Sequence, residues 1–385
     1  MPEVATQFAS QVNPAHAQVF NSENFDPTGV GLALSGGGYK AAAYHLGALI
    51  RLNELRYLGK INRISSVSGG SIAAGFLGRQ WRHIEYDGTF AAAFWDGYVE
   101  PLSEFLTEVN LDVPQGILGL LLPFRSGADG VVKGYDKHLF KGATLQDLPT
   151  GPGVPEFALV ATNYELNSLW RFSRKYAADY RVGRIDNPTF PLAEVVAASS
   201  AFPPFFCPVE LEFGTAKPKP MEGANRNEGR FLKRALLADG GIYDNMGLEP
   251  IWKRYGTLLV SNAGDAVDED AHPTDWGRLM LRIVGLMHRQ AENNRQRQLM
   301  ILSQLQQRKV AYWPLRNDGS NYPKPSAAQL SKADIHKAQN EGVRLWSLGR
   351  KGFEGLVNQG YSLCDSAMQS YIALEPGLPA AKLPY

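Results

Sequence analysis

Over the first eighty residues, apolar positions come in short unbroken runs and helical stripes separated by glycines. Residues 30–34 (VGLAL) form an uninterrupted apolar run that ends in three glycines, the pattern of a strand buried on both faces. Residues 39–58 then place Ala42, Leu46, Leu49 and Ile50 at helical spacing and stop at Gly59. A second strand is predicted over 61–67, and a helix rich in small residues over 71–79. This strand–helix–strand–helix order implies a parallel pair with helices packed over the sheet. Further strands are expected at 157–162 (FALVAT), 235–238 (ALLA) and 257–261 (TLLVS). Trp276, Met280, Ile283 and Met287 share one face of a long helix. The Pro- and Gly-rich stretches 213–229 and 317–324 read as insertion loops. Residues 1–27 carry no periodicity and read as a loosely ordered lead-in. The expectation is one α/β domain with insertions over 28–385.

Composition narrows the function classes. The 385 residues are 44% hydrophobic and 20% charged, ordinary for a globular chain with a sizeable core. A formal net charge of +1 gives no global case for nucleic acid or another polyanion. Two cysteines, Cys207 and Cys364, make neither a disulfide framework nor a metal-type spacing, and they fit a reducing compartment. No apolar run approaches about 18 residues, so no transmembrane helix is expected. The first twenty residues lack a basic segment followed by an apolar one, so no cleaved signal peptide is expected either. These features place the chain in the cytoplasm or peripherally on a membrane.

Two glycine-marked turns carry the candidate chemistry. Ser68, in Ser66-Val67-Ser68-Gly69-Gly70, sits between a strand and a helix, where a nucleophilic serine needs small neighbours to expose its Oγ. Ser66 stands where the G-x-S-x-G pattern has its first glycine, so the pattern is half met; a helix-capping serine is the bland alternative. Gly36-Gly37-Gly38-Tyr39-Lys40 can turn successive N–H groups into one concavity, with a helix N-terminus behind it. Such donors hold a tetrahedral oxyanion, and losing one costs ~3–4 kcal/mol of transition-state stabilisation. The same run fits a dinucleotide fingerprint, but that reading needs a carboxylate at the end of the next strand, which here ends Ser-Val-Ser-Gly-Gly. The nucleotide reading therefore loses.

None of the seven histidines sits in a telling motif, and His45 falls inside the first helix. Asp239 is the better base. It is one of five Asp-Gly pairs, the other four at Asp87, Asp96, Asp129 and Asp318, and it alone closes an apolar strand-like run. That position puts its carboxylate at the edge of the sheet where ligands of open α/β folds gather. Partial desolvation raises a carboxylate's pKa and makes it a usable proton acceptor. Asp244 is a nearby rival that reads as a turn residue.

Taken together and in this order, these motifs resemble the patatin-like phospholipases, lipid acyl hydrolases that use a Ser–Asp dyad. Gly36-Gly37-Gly38-Tyr39-Lys40 is similar to the family's oxyanion loop and Ser68 to its nucleophile. The stretch at 198–206 (ASSAFPPFF) is similar to the segment between nucleophile and aspartate, and Asp239-Gly240-Gly241 with Asn245 to the catalytic aspartate motif. Ala161-Thr162-Asn163 resembles a further strand end. The motifs span roughly 30–250, and about 255–385 carries none. Two departures stand out: Ser66 replaces a glycine, and Ala41 replaces the last glycine of the oxyanion motif.

The resemblance implies a three-layer α/β/α patatin-like fold whose central, mostly parallel sheet carries helices on both faces. It implies Ser68 and Asp239 as the catalytic pair, an oxyanion hole from Gly36, Gly37, Gly38 and Gly69, no metal or organic cofactor, and a lipid or phospholipid substrate met transiently at a membrane surface. Lys40 is either a contact for substrate charge or a solvated helix-start lysine. The apolar run at 116–124 reads equally as an interfacial lid or a core segment. The arginines between Arg278 and Arg308 face anionic headgroups or simply solvent. The alternatives are an esterase with a Ser–Asp–His triad through His272 or His288, and a non-catalytic lipid-binding protein.

Overall fold

The computed structural model describes residues 24–111, 124–203, 206–226, 228–264 and 275–385. Its centre is a ten-stranded sheet: β1 (Asp26–Leu34), β2 (Arg63–Val67), β3 (Glu156–Asn163), β4 (Ser168–Phe172), β5 (Tyr176–Asp179), β6 (Gly183–Asp186), β7 (Val209–Glu212), β8 (Arg234–Asp239), β9 (Tyr255–Asn262) and β10 (Lys309–Pro314). The order runs β10-β9-β1-β2-β3-β4-β5-β6, and β8 branches from β3 with β7 beyond it. The five strands from β10 to β3 are parallel, and the β3–β6 meander and the β7–β8 pair are antiparallel.

Alternation along β1 shows how two apolar layers form. Leu32 and Leu34 enter a large core cluster, while Ala33 enters a second with Met246, Ile251, Leu258 and Val260. Successive strand residues point to opposite faces, so both faces must be covered. The first face is covered by α1 (Gly38–Glu54) and α2 (Gly69–Gln80). Three further helices, α3 (Glu100–Glu108), α4 (Phe124–Tyr135) and α5 (Leu192–Ser199), follow in the chain. On the opposite face lie residues 246–255 and the far end of α6 (Trp276–Gln304), through Leu299 and Leu302. After α7 (Lys332–Gln339), α8 (Arg350–Tyr371) packs along α1, tied to it by Arg51 Nε on Asp365 Oδ1 at 2.8 Å. The segment without motifs thus supplies two sheet strands and helices on both faces.

The first predicted helix ends at Glu54, and residues 58–60 form a separate 3₁₀ turn beyond Arg56, whose φ of 52° is incompatible with helix. β8 is antiparallel to β3, but it pairs only with the last three residues, Asp239 opposite Ala161 and Leu237 opposite Asn163. Asp239 therefore still reaches the carboxyl edge of the parallel strands. β1 lies between β2 and β9, so the connections leave it in opposite directions there, and the crevice opens at the ends of β1 and β2.

Candidate active site

Ser68 caps α2 with φ 50° and ψ −119°, a left-handed strain that a non-glycine residue holds only when its surroundings fix it. Its amide N–H donates to Ser199 Oγ at 2.9 Å, and Ser199 Oγ in turn donates to Val160 O at 2.7 Å. Ser71 Oγ lies 2.9 Å from Ser199 Oγ and donates to Ser66 Oγ at 3.1 Å. The departure at position 66 is thereby absorbed into a buried hydroxyl network beneath the turn.

The glycine loop wraps against this turn. Gly36 N–H donates to Asn245 O at 3.0 Å, and Tyr39 N–H to Arg344 O at 2.8 Å. Between them the N–H groups of Gly37 and Gly38 have no acceptor among the described residues. Gly37 caps α1 at φ 134°, which an L side chain rarely adopts. A Cβ at Gly69 would stand 2.0 Å from Gly38 O, so the two loops meet backbone to backbone. Neither helix start carries a side-chain cap. Two helix N-termini therefore converge on one spot with donors free for an anion. Ala41 lies inside α1 and is buried, so helical backbone accounts for its replacing glycine.

Three bonds hold Asp239. Its N–H donates to Ala201 O at 2.8 Å, its carbonyl accepts from Thr162 Oγ1 at 2.8 Å, and its Oδ1 accepts from Gly241 N–H at 2.6 Å. Ser68 lies beside it on the cavity floor. Burial raises the Asp239 pKa to about 6, with the Gly241 and Ser68 donors pulling the other way. The pair thus consists of a strained serine and a desolvated carboxylate side by side on the cavity floor.

A cavity of about 600 Å³ opens over the pair. Gly36–Gly38, Ser68 and Asp239 form its floor, and Phe202 and Phe206 one wall. Arg282, Gly285, His288, Arg289 and Glu292 of α6 form the roof, with residues 343–346 opposite. Those last residues are strapped down by Leu111 N–H on Leu345 O and Leu348 N–H on Leu106 O.

Among the residues singled out from sequence, Ser68, Asp239, Gly36, Gly37, Gly38 and Gly69 come together. Lys40 does not join them: it is buried behind the loop, its Nζ 3.5 Å from Gln339 O, and it does not line the cavity. The side chain of a first-turn residue is carried into the interior as α1 packs down. Asp244 is buried and turned away, accepting the Glu249 N–H at 2.7 Å and lying 4.0 Å from Arg295. His288 lines the cavity, but its Nε2 bonds Gly241 O at 3.1 Å. His45 is buried, bridging Ser261 Oγ (2.7 Å) and Ser35 O (2.9 Å). His272 and most of 116–124 lie outside the described residues. Ser199 and the α6 roof escaped the sequence reading; the only signal for Ser199 was its place in the ASSAFPPFF stretch.

Compared with known proteins, residues 32–252 match the family model described as patatin-like phospholipase. No curated protein matches the chain. Among solved structures, human GIVD cytosolic phospholipase A2 is similar at 12% identity, with TM-score 0.51 over 96% of this chain and 65% of that one. The same human enzyme in complex with methyl gamma-linolenyl fluorophosphonate and terbium chloride is similar at 14% identity and TM-score 0.51, over 95% of this chain and 60% of that one. The chain thus spans less than two thirds of these structures, and at such identity the likeness concerns the fold.

Proposed function

The chain belongs to the patatin-like phospholipase family, and from that premise we propose that it hydrolyses carboxylic esters of lipids, with Ser68 as nucleophile and Asp239 as base. The observation that carries this reading is a strained serine and a buried carboxylate raised to about 6 lining one cavity beside two unengaged amides. Asp239 takes the Ser68 proton as Oγ attacks the acyl carbonyl. The N–H groups of Gly37 and Gly38, with Gly69 at the head of α2, hold the oxyanion. Asp239 then passes the proton to the departing alcohol, leaving the acyl chain on Oγ. A water next gives Asp239 its proton and attacks the acyl carbon, after which the fatty acid leaves and the proton returns to Oγ. Phe202 and Phe206 give the acyl chain an apolar wall. No helix among the described residues is long and apolar enough to cross a membrane. The continuous sheet supports reading 28–385 as one unit.

Labelling with a fluorophosphonate tests the dyad. The adduct should map to Ser68 by mass spectrometry and should vanish in Asp239→Asn. A folded protein that stays unlabelled with lipid vesicles present would favour a non-catalytic lipid-binding role. A loss in His288→Ala as complete as in Asp239→Asn would overturn the dyad in favour of a histidine triad.

A further inference from the structure

Asn245 follows the short helical turn Gly241–Asp244, which leaves β8 just after Asp239. Its carbonyl accepts the Gly36 N–H at 3.0 Å, so its backbone is tied to the glycine loop. The residue is half-buried and lines the cavity together with Ser68 and Asp239. Its side-chain carboxamide has no hydrogen-bond partner among the described residues.

Two glycines mark where that carboxamide stands. A Cβ at Gly36 would collide with Asn245 Oδ1 and stand 3.2 Å from Ser68 Cβ. A Cβ at Gly241 would stand 2.6 Å from the same Oδ1 and 2.9 Å from Asp239 Oδ1. Neither glycine has a left-handed φ, so the close approach of the amide is what excludes a side chain at both. One oxygen acceptor is therefore wedged between the neighbours of the serine and of the aspartate. The protein leaves it unused, and buried or half-buried polar groups seldom go without a partner.

The chemistry of the acyl-enzyme identifies the partner. The amides of Gly37, Gly38 and Gly69 are donors and suit the carbonyl oxygen. An acceptor beside the base suits the attacking water. Asp239 takes one of its hydrogens, and a second acceptor stops the molecule from turning, which aims a lone pair at the acyl carbon. The leaving oxygen of an ester carries carbon where water carries its second hydrogen, so acylation has no use for this acceptor.

We infer that Asn245 is a catalytic residue of deacylation, its Oδ1 and the Asp239 carboxylate together holding the water that attacks the acyl-enzyme. The inference rests on the Ser68–Asp239 hydrolase reading. One water hydrogen passes to Asp239 as the oxygen bonds to the acyl carbon. The other, held by Asn245 Oδ1, stays on that oxygen as the carboxyl hydrogen of the fatty acid. The bond from the acyl carbon to Ser68 Oγ then breaks, and Asp239 returns its proton to Oγ.

The test follows the two half-reactions separately in the full chain, with p-nitrophenyl butyrate as a soluble ester. Asn245→Ala should label with fluorophosphonate and release its first equivalent of p-nitrophenol at the parent rate. Decay of acyl-Ser68 after a pulse of ester, read by intact mass spectrometry, should slow on the order of ten- to a hundredfold. Asn245→Asp keeps the shape and the acceptor and should recover part of that decay. Its added charge beside Asp239 should also move the acid limb of kcat/KM to higher pH, which a purely structural residue would not do. Decay at the parent rate in Asn245→Ala would overturn the inference. Equal slowing of labelling and decay would overturn it too, by assigning the amide to the serine turn or the oxyanion. Should Asn245→Ala not fold, Asn245→Asp decides, and an unmoved acid limb there refutes the role. A parent that neither labels nor forms acyl-Ser68 fails the hydrolase reading and this inference with it, whereas labelling with normal decay in the variant fails this inference alone.

Discussion

Ser199 shows how the proposed nucleophile, Ser68, is held. The left-handed backbone of Ser68 needs support, and the Ser199 hydroxyl ties the Ser68 amide to Val160 O of β3. In Ser199→Ala both groups lose this partner in a buried site, costing about 1–3 kcal/mol. Urea unfolding should show that loss, and Ser68 should label more slowly with fluorophosphonate. Unchanged labelling would mean the turn holds itself. The sequence marked Ser68 and Asp239 as candidates because each closes a strand-like run with glycines after it, a local signal. It could not reveal the Ser199 bond, which joins residues 131 apart. Lys40 illustrates the opposite failure. Adjacency to the glycine loop suggested a substrate contact, but adjacency in sequence does not fix the direction of a first-turn side chain.

At the scale of elements, α6 must be held over the cavity although Trp276, Met280, Ile283 and Met287 on its other face are exposed. Its anchor is Arg295, paired with Glu249 and lying 4.0 Å from Asp244, both buried or nearly so. The guanidinium is held charged by these carboxylates against the cost of burial, and it pulls the Glu249 pKa down. Arg295→Met leaves the two carboxylates without their cation, and breaking a buried pair this way costs about 3 kcal/mol or more. Adding Glu249→Gln should recover a measurable part, so a double-mutant cycle in thermal or urea unfolding should show coupling of at least about 1 kcal/mol. Strictly additive effects would show that α6 is anchored elsewhere, through Leu299 and Leu302. Periodicity made this helix legible in the sequence and marked its apolar stripe correctly. It could not say which way the stripe faces, because a period defines a face and the rest of the fold decides what meets it.

For the molecule as a whole, Asp239 at the site and His45, buried behind the glycine loop, pull the pH dependence of stability in opposite directions. Burial raises Asp239 from 3.8 to about 6. Between those values the folded protein binds a proton that the unfolded chain lacks, so this group makes stability rise as pH falls from about 6 towards 3.8. Burial lowers His45 from 6.5 to about 4. Its Nε2–H donates to Ser35 O while its Nδ1 accepts from Ser261 Oγ, so both nitrogens of the neutral ring are used. Here the unfolded chain binds the proton first, and this group makes stability fall as pH falls from 6.5 towards 4. Each span corresponds to a change on the order of 3 kcal/mol, so the two nearly cancel between about pH 6 and 4. Removing either should expose the other. Asp239→Asn should be the more stable protein near pH 7 and should lose stability on acidification more steeply than the parent, by up to about 3 kcal/mol across the window. His45→Gln should show the reverse, a flatter or rising profile over the same range. Urea unfolding at pH 4, 5, 6 and 7 distinguishes these slopes, and identical profiles for parent and both variants would refute the assignment. Activity follows the aspartate alone: with Asp239 acting as base, kcat/KM for a soluble ester should climb through half its maximum near pH 6. The expected acid limb thus falls where the contributions of these two groups nearly offset, so a loss of activity there at an unchanged urea midpoint would report protonation of Asp239.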